Sequence, residues 1–350
     1  MLMALIRTII VDDSAFVRKV VREILSGSPQ IDVVGMARNG EDALQMVEQL
    51  NPDVVTCDLV MPVLDGVGFV RKQMLRKPVP ILILTASPQD AGLVLEALEA
   101  GAVDFIQKPT ALANEDLLSM REELLQKVKA AALAPPRPLP VTSPSPAAAR
   151  TEPGKPSPPA KNVDIVVLGI STGGPQALRY LVPRFAADFP VPLVIVLHMP
   201  VGYTALFAEK LAELSRLPVK EASEGCVVRP GEALFAPAGR HLTFKRTLEG
   251  KVVVHLSVKP MDKPHRPSVD VLFQSAAETY GGRVLGVVMT GMGDDGKQGA
   301  AWIKAQGGTI LTESEESCVI YGMPRSVVEA GLSDASVALD SMAEEIRKRL

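Results

Sequence analysis

Residues 135–159 hold ten prolines and neither an aromatic residue nor an isoleucine. A stretch of that kind cannot bury enough apolar surface to fold and reads as an extended linker. It divides the 350-residue chain, a length at which two domains are expected. Charge marks the same division. Residues 1–124 carry 11 basic and 18 acidic side chains, residues 125–161 carry 6 and 1, and residues 162–350 carry 20 and 21. If about 27 residues of the linker were fully polyproline-like, it would reach ~80 Å.

On both sides of the linker, short apolar runs alternate with helical patterns. Before it, strands are expected at 8–11, 32–36, 54–57, 81–84 and 104–106. Helices are expected between them, at 15–25, 40–50, 66–75 and 92–100. Five β-α repeats predict a parallel sheet covered on both faces. After the linker, strands are expected at 164–168, 193–197, 232–235, 284–289 and 309–312, most of them followed by helices. The alternating run 251–258 reads as a hairpin arm, with 242–246 as its partner. The expectation is therefore an α/β chain. A five-stranded, flavodoxin-like parallel domain covers 1–125, a Pro/Ala-rich linker 126–161, and a doubly wound α/β domain 162–350.

Composition narrows the function. Hydrophobic residues make up 47% and aromatics only 4%, so the cores must be aliphatic. A net charge of −3 argues against a general nucleic-acid binder. Cys57, Cys226 and Cys318 form no CxxC pair, which fits a reduced compartment without a disulfide framework or zinc knuckle. Residues 1–7 are too short and too soon charged for a signal peptide, and no apolar run approaches the roughly 20 residues of a membrane helix. The expectation is a cytoplasmic protein with no membrane insertion.

In a parallel sheet the strand C-termini gather at one edge, where ligands bind. Asp12 and Asp13 end the first strand and Asp58 follows the third. Three carboxylates there repel one another unless a hard cation is present, and Mg²⁺ suits oxygen ligands. Thr85 ends the fourth strand and Lys108 follows the fifth. A hydroxyl and an ammonium at that edge could hold phosphoryl oxygens.

In the second half, Ser171 sits between an apolar strand and a helix starting near Pro175, with glycines at 169, 173 and 174. Such a turn exposes its side chain and frees backbone N–H groups for an oxyanion. A serine needs a base. Of the four histidines, His198 alone ends a buried strand. His255 lies in an alternating run, His241 in a turn and His265 in a polar loop. Asp294 and Asp295 follow the strand ending at Thr290 and offer two candidate acids. From the residues alone, a Ser-His-Asp triad and a phosphate-binding glycine turn both stay open.

The first half resembles the response-regulator receiver domain over about 120 residues. The match is Val11-Asp12-Asp13-Ser14, Asp58 with Met61-Pro62 and Asp65-Gly66, Thr85-Ala86, and Lys108-Pro109. The resemblance implies that Asp58 accepts a phosphoryl group from a CheA-type histidine kinase. It also implies that Asp12, Asp13 and Asp58, with a main-chain oxygen of Val60, hold Mg²⁺. Thr85 and Lys108 would sense the phosphoryl group, with Phe105 as the aromatic switch residue.

The second half is similar to the catalytic domain of the CheB protein-glutamate methylesterases. The motifs are Ser171 to Pro175, His198-Met199-Pro200, His265 to Asp270, Thr290 to Gly296, and Ser317 to Pro324. The resemblance implies Ser171 as nucleophile, His198 as base, and Asp295 as orienting acid. Met292, through its amide, and Thr172 would lie at the oxyanion region. The implied activity is hydrolysis of glutamate methyl esters, and deamidation of glutamines, on methyl-accepting chemotaxis receptors. The esterase would need no cofactor, and phosphorylation would activate it. The receiver would cover the active-site edge at rest, with Arg266 as a candidate partner. A DNA-binding output is disfavoured by the near-neutral second half and its lack of a basic recognition helix. A nucleotide-binding output is disfavoured by the missing G-x-G-x-x-G order.

Overall fold

The computed structural model describes residues 5–108, 114–133 and 163–350. In the first domain β1 (Ile6–Val11), α1 (Ala15–Ser26), β2 (Ile31–Ala37), α2 (Gly40–Leu50) and β3 (Val54–Asp58) come first. They are followed by α3 (Gly66–Arg76), β4 (Ile81–Thr85), α4 (Ala91–Glu99), β5 (Asp104–Gln107) and α5 (Asn114–Leu133). The strands lie in the order β2-β1-β3-β4-β5, all parallel. Helices therefore cross both faces, and every residue of β3 and β4 is buried. The strand order reverses between β1 and β3, which opens a crevice at their C-terminal ends.

Local signals fix the helix starts. The side chains of Ser14, Asn39 and Asp65 accept hydrogen bonds from Val17 N, Asp42 N and Gly68 N and so cap α1, α2 and α3. Gly66 is forced by close approach, because a Cβ there would sit 2.2 Å from the main-chain oxygen of Asp58. Helix α5 corrects one expected boundary. It runs to Leu133, eight residues into the span assigned to the linker, because Leu124, Val128 and Ala131 recur at helical spacing and pack into the core. The proline-rich stretch lies outside the described residues.

The second domain continues with β6 (Ile165–Ile170), α6 (Gly174–Leu181), β7 (Leu193–Leu197), α7 (Thr204–Leu214), β8 (Val219–Glu221) and β9 (Ala233–Phe235). Next come β10 (His241–Arg246), β11 (Val252–Ser257), α8 (Val269–Tyr280), β12 (Val284–Val288) and α9 (Lys297–Ala305). The last elements are β13 (Thr309–Glu313), α10 (Met323–Glu329), β14 (Ala335–Val337) and α11 (Leu339–Lys348). Seven parallel strands lie in the order β14-β13-β12-β6-β7-β9-β8, and β10 and β11 form a separate antiparallel pair. The chain winds outward from β6 and then returns to β12 on the other side. The β6–β12 border is thus this sheet's switch point.

One aliphatic core lies under α8 and the hairpin. The core on the opposite face of the sheet continues into the first domain. Phe105 of β5 packs on Tyr203, just before α7, with ring centroids 4.7 Å apart. Across the same boundary Arg179 pairs with Glu99 at 2.7 Å, and Gln176 Nε2 donates to Ala102 O at 2.7 Å. The described residues include no helix long and apolar enough to cross a membrane.

Candidate active site

Parallel register brings the nucleophile candidate and the base candidate together. Ile170 pairs with Leu197, and His198 N donates to Ile170 O, so Ser171 and His198 leave adjacent strand ends. On its other side Ser171 N donates to Thr290 O, and a Cβ at Gly291 would lie 2.8 Å from Ser171 Cβ. The glycine turn is real. Gly173 has φ +79°, and a side chain there would strike Val319. Thr172 N and Met292 N donate to no protein acceptor among the described residues.

His198 is oriented from one side. Its Nε2 lies 2.9 Å from Asp295 Oδ2, and its Nδ1 is buried without a hydrogen-bond partner. Three further donors converge on the same carboxylate: Ser268 Oγ and Asp270 N on Oδ1, and Val269 N on Oδ2. Two of these are the first N–H groups of α8, where the helix dipole also favours a negative charge. Burial alone would raise the Asp295 carboxyl. The His198 contact and the N–H groups outweigh it and hold the acid well below the usual carboxylate range. An ionised Asp295 accepts at Nε2, so the imidazole proton sits there and Nδ1 carries the lone pair.

The two neighbouring acids separate cleanly. The Asp294 side chain is 66% exposed and pairs with Lys297. Asp270 does not reach the imidazole either. Its Oδ1 accepts from Gly296 N and Gly299 N, which pins the turn that carries Asp295.

Other residues at this edge have no role that the sequence assigns. His265 stacks on His198, centroids 4.1 Å and planes 21° apart. Burial of its inner face, followed by the His198 charge, lowers its pKa to about 4. His241 belongs to β10 rather than to a turn, is wholly buried, and accepts from Ser268 N. Thr290 Oγ1 donates to Thr172 O and accepts from Ile320 N, and Thr290 N donates to the buried Glu313. One hydroxyl thereby ties the nucleophile turn to two loops. The Ser317–Pro324 motif, which the resemblance left without a role, supplies the third wall of the site. Among the described residues Arg266, the expected partner of the receiver, makes no ion pair with it. Its Nε is buried without a partner, and among the described residues the ion pair across the boundary is Arg179–Glu99.

At the first domain's crevice, oxygens of Asp12, Asp13 and Asp58 lie within 4.8 Å of one another. Lys108 Nζ sits 2.6 Å from Asp12 Oδ2 and 3.0 Å from Asp58 Oδ1. Burial raises the Asp58 carboxyl, and the Lys108 charge offsets it only in part. The Asp58 and Asp12 charges in turn raise Lys108 against its own burial. Three carboxylates sharing one ammonium are a donor set with a charge to spare, which fits a small divalent cation. Thr85 Oγ1 lies 3.3 Å from Asp90 Oδ2 and 3.4 Å from Ser87 O.

Known proteins match both halves. Residues 166–346 match the CheB methylesterase family and residues 8–120 the response regulator receiver domain. A protein-glutamate methylesterase/protein-glutamine glutaminase of Myxococcus xanthus is 47% identical over 99% of this chain and 98% of its own. One of Halalkalibacterium halodurans is 42% identical, over 97% of each chain. The crystal structure of the Thermotoga maritima CheB methylesterase catalytic domain superposes with a TM-score of 0.52 at 40% identity, covering 54% of this chain and 99% of that one. With a receiver of order 2-1-3-4-5 ahead of a seven-stranded domain whose switch point gathers Ser171, His198 and Asp295, the chain belongs to the CheB methylesterase family.

Proposed function

We propose that the chain is a phosphorylation-activated protein-glutamate methylesterase and glutaminase in which Ser171 is the nucleophile, His198 the base and Asp295 the acid that orients it. The observation that carries this reading is the His198 ring, bound to Asp295 through Nε2 and leaving a buried, unpartnered Nδ1 beside the Ser171 strand end. Ser171 Oγ attacks the γ-carbonyl of a methylated glutamate while its proton passes to Nδ1. The Thr172 and Met292 N–H groups receive the oxyanion. Collapse expels methanol, which takes the proton back from the imidazole. Water then attacks the glutamyl ester with the same base and frees Ser171. A glutamine substrate follows the same course, with ammonia leaving. No step calls for a cofactor in the esterase domain. In this reading the substrates are the cytoplasmic helices of methyl-accepting chemotaxis receptors, the phosphodonor is a CheA-type histidine kinase, and the enzyme works in the cytoplasm.

Asp58 is the phosphoacceptor in the same reading. Its two hydrogen-bonding neighbours, Leu59 N and Lys108, both fall on Oδ1, which leaves Oδ2 for the incoming group. Mg²⁺, held by Asp12, Asp13 and Asp58 with the main-chain oxygen of Val60, would neutralise the carboxylates and polarise the phosphoryl group. Lys108 and Thr85 then take the phosphoryl oxygens. Labelling tests both assignments in one chain. A fluorophosphonate should label the wild type and not Ser171→Ala. A small acyl phosphate with Mg²⁺ should label the wild type and not Asp58→Asn. Label that persists in either variant sinks that half of the reading.

A further inference from the structure

Tyr203 belongs to the catalytic half by sequence and to the receiver by contact. It ends the loop His198–Tyr203 that leaves β7, five residues after the base, and its own carbonyl starts α7 by accepting from Phe207 N. Its side chain is wholly buried, and the receiver supplies much of that burial. The ring packs on Phe105 at a centroid distance of 4.7 Å, and the hydroxyl donates to Ser87 O at 3.2 Å. Thr85 Oγ1 reaches the same Ser87 oxygen at 3.4 Å. Burial raises the Tyr203 phenol, with Thr85 as its offsetting hydrogen-bond neighbour. A tyrosine of the catalytic domain thus stands between the two receiver residues expected to change when Asp58 is phosphorylated. Gln176 and Arg179 hold α6, the helix behind the Ser171 turn, against the end of α4 on the same face. Among these contacts Tyr203 alone touches Thr85 and Phe105 together while lying on the His198 loop.

We propose that Tyr203 is the catalytic-domain residue that reads the receiver's phosphorylation state, because its hydroxyl and that of Thr85 share Ser87 O as acceptor. The proposal rests on the reading of Asp58 as phosphoacceptor. A Thr85 hydroxyl that turns to the phosphoryl group draws on the β4–α4 loop that holds Ser87. Tyr203 then loses its acceptor and its fit on Phe105, and the receiver loosens from the His198 loop. With the receiver open or closed and only the open form active, the resting rate reports the open fraction. A contact that favours the closed, unphosphorylated receiver lowers that fraction and the phosphoryl affinity by the same factor.

The test uses the full chain, with Mg²⁺ and beryllofluoride as the phosphoryl mimic. Tyr203→Phe removes one hydroxyl from a buried ring. It should raise the resting rate of methanol release about two- to tenfold, the range a single neutral hydrogen bond supplies. It should tighten beryllofluoride binding by the same factor and leave the rate at saturation within about twofold of wild type. Tyr203→Leu, which also loses the ring stack, should enlarge both shifts together. The proposal is overturned if resting rate and affinity both stay unchanged. It is overturned equally if the resting rate rises with no change in affinity, or if resting and saturated rates fall together, as for a residue that merely props up the esterase fold. Failure of the wild type to bind beryllofluoride would instead defeat the assignment of Asp58.

Discussion

The two strand-edge sites hold buried carboxylates of opposite character. Asp295 receives three N–H or O–H donors besides His198 and lies well below the usual carboxylate range. Asp58 shares one ammonium with Asp12, receives one main-chain N–H, and is raised. Both stand at the switch point of a parallel sheet, so topology does not distinguish them. The difference is donor supply. Asp295 faces the start of α8, whereas Asp58 faces two more carboxylates and a lysine. A carboxylate saturated with donors is fixed in charge and position, which suits a group that orients an imidazole. A carboxylate short of donors is open to a cation and to phosphorylation.

The largest expected effect tests the saturated site. Asp295→Asn should lower kcat for methanol release by roughly 10⁴, as loss of a triad acid does elsewhere. Asp294→Asn, exposed and paired with Lys297, should cost less than tenfold. A crippled Asp294 variant beside an active Asp295 variant would break the comparison at its base.

The next test asks whether the catalytic edge is one unit. Thr290→Val removes the hydroxyl shared by Thr172 O and Ile320 N. Leaving those buried groups unmade should cost about 1–3 kcal/mol of stability, measured by denaturant unfolding at constant slope. It should also loosen the oxyanion turn and lower kcat more than it raises KM. A stable variant with normal kcat would mean the three loops are held independently.

The smallest effect concerns pH. The folded pKa of His265 is about 4, against 6.5 ordinarily. The folded state therefore takes up its proton later than the unfolded chain as pH falls. Its contribution to stability is unaffected above about pH 6.5 and is lost progressively between about 6.5 and 4. His265 is exposed to solvent, so the slope is shallow. His265→Phe keeps the stack on His198 and should flatten that part of the stability–pH curve. A slope equal to wild type would show that His265 does not set it.

Much of this was legible before any coordinate. All five receiver strands and the five inner strands of the second sheet follow from aliphatic runs, because parallel strands buried on both faces leave that signature. Strands β8 and β14, at the sheet's edges, read Val-Lys-Glu and Ala-Ser-Val, and their polar residues break any apolar run. The meeting of Ser171, His198 and Asp295 rests on strand ends, and strand ends are visible in sequence. The residues alone leave Asp294 and Asp295 open, since the choice turns on which side chain of one turn faces the imidazole; the resemblance points to Asp295. His265, Glu313, Arg179 and Tyr203 escaped for a common reason. Each acts through a contact between distant segments, and neither periodicity nor motif encodes where a loop histidine or a helix arginine lands.

The strand order has a consequence for the chain as it is made. Ile165 pairs with Val284, so the two halves of the catalytic edge are separated by most of the domain's synthesis. Ser171 and His198 can come together as soon as β6 and β7 pair, whereas Asp295 arrives only after β12 has inserted beside β6. Non-local parallel pairing of this kind forms late. A nascent or truncated chain that stops before β12 would carry a serine and a histidine with nothing to orient them. In the proposed reading, hydrolytic competence thereby reports completed folding, and an unfinished enzyme is a silent one.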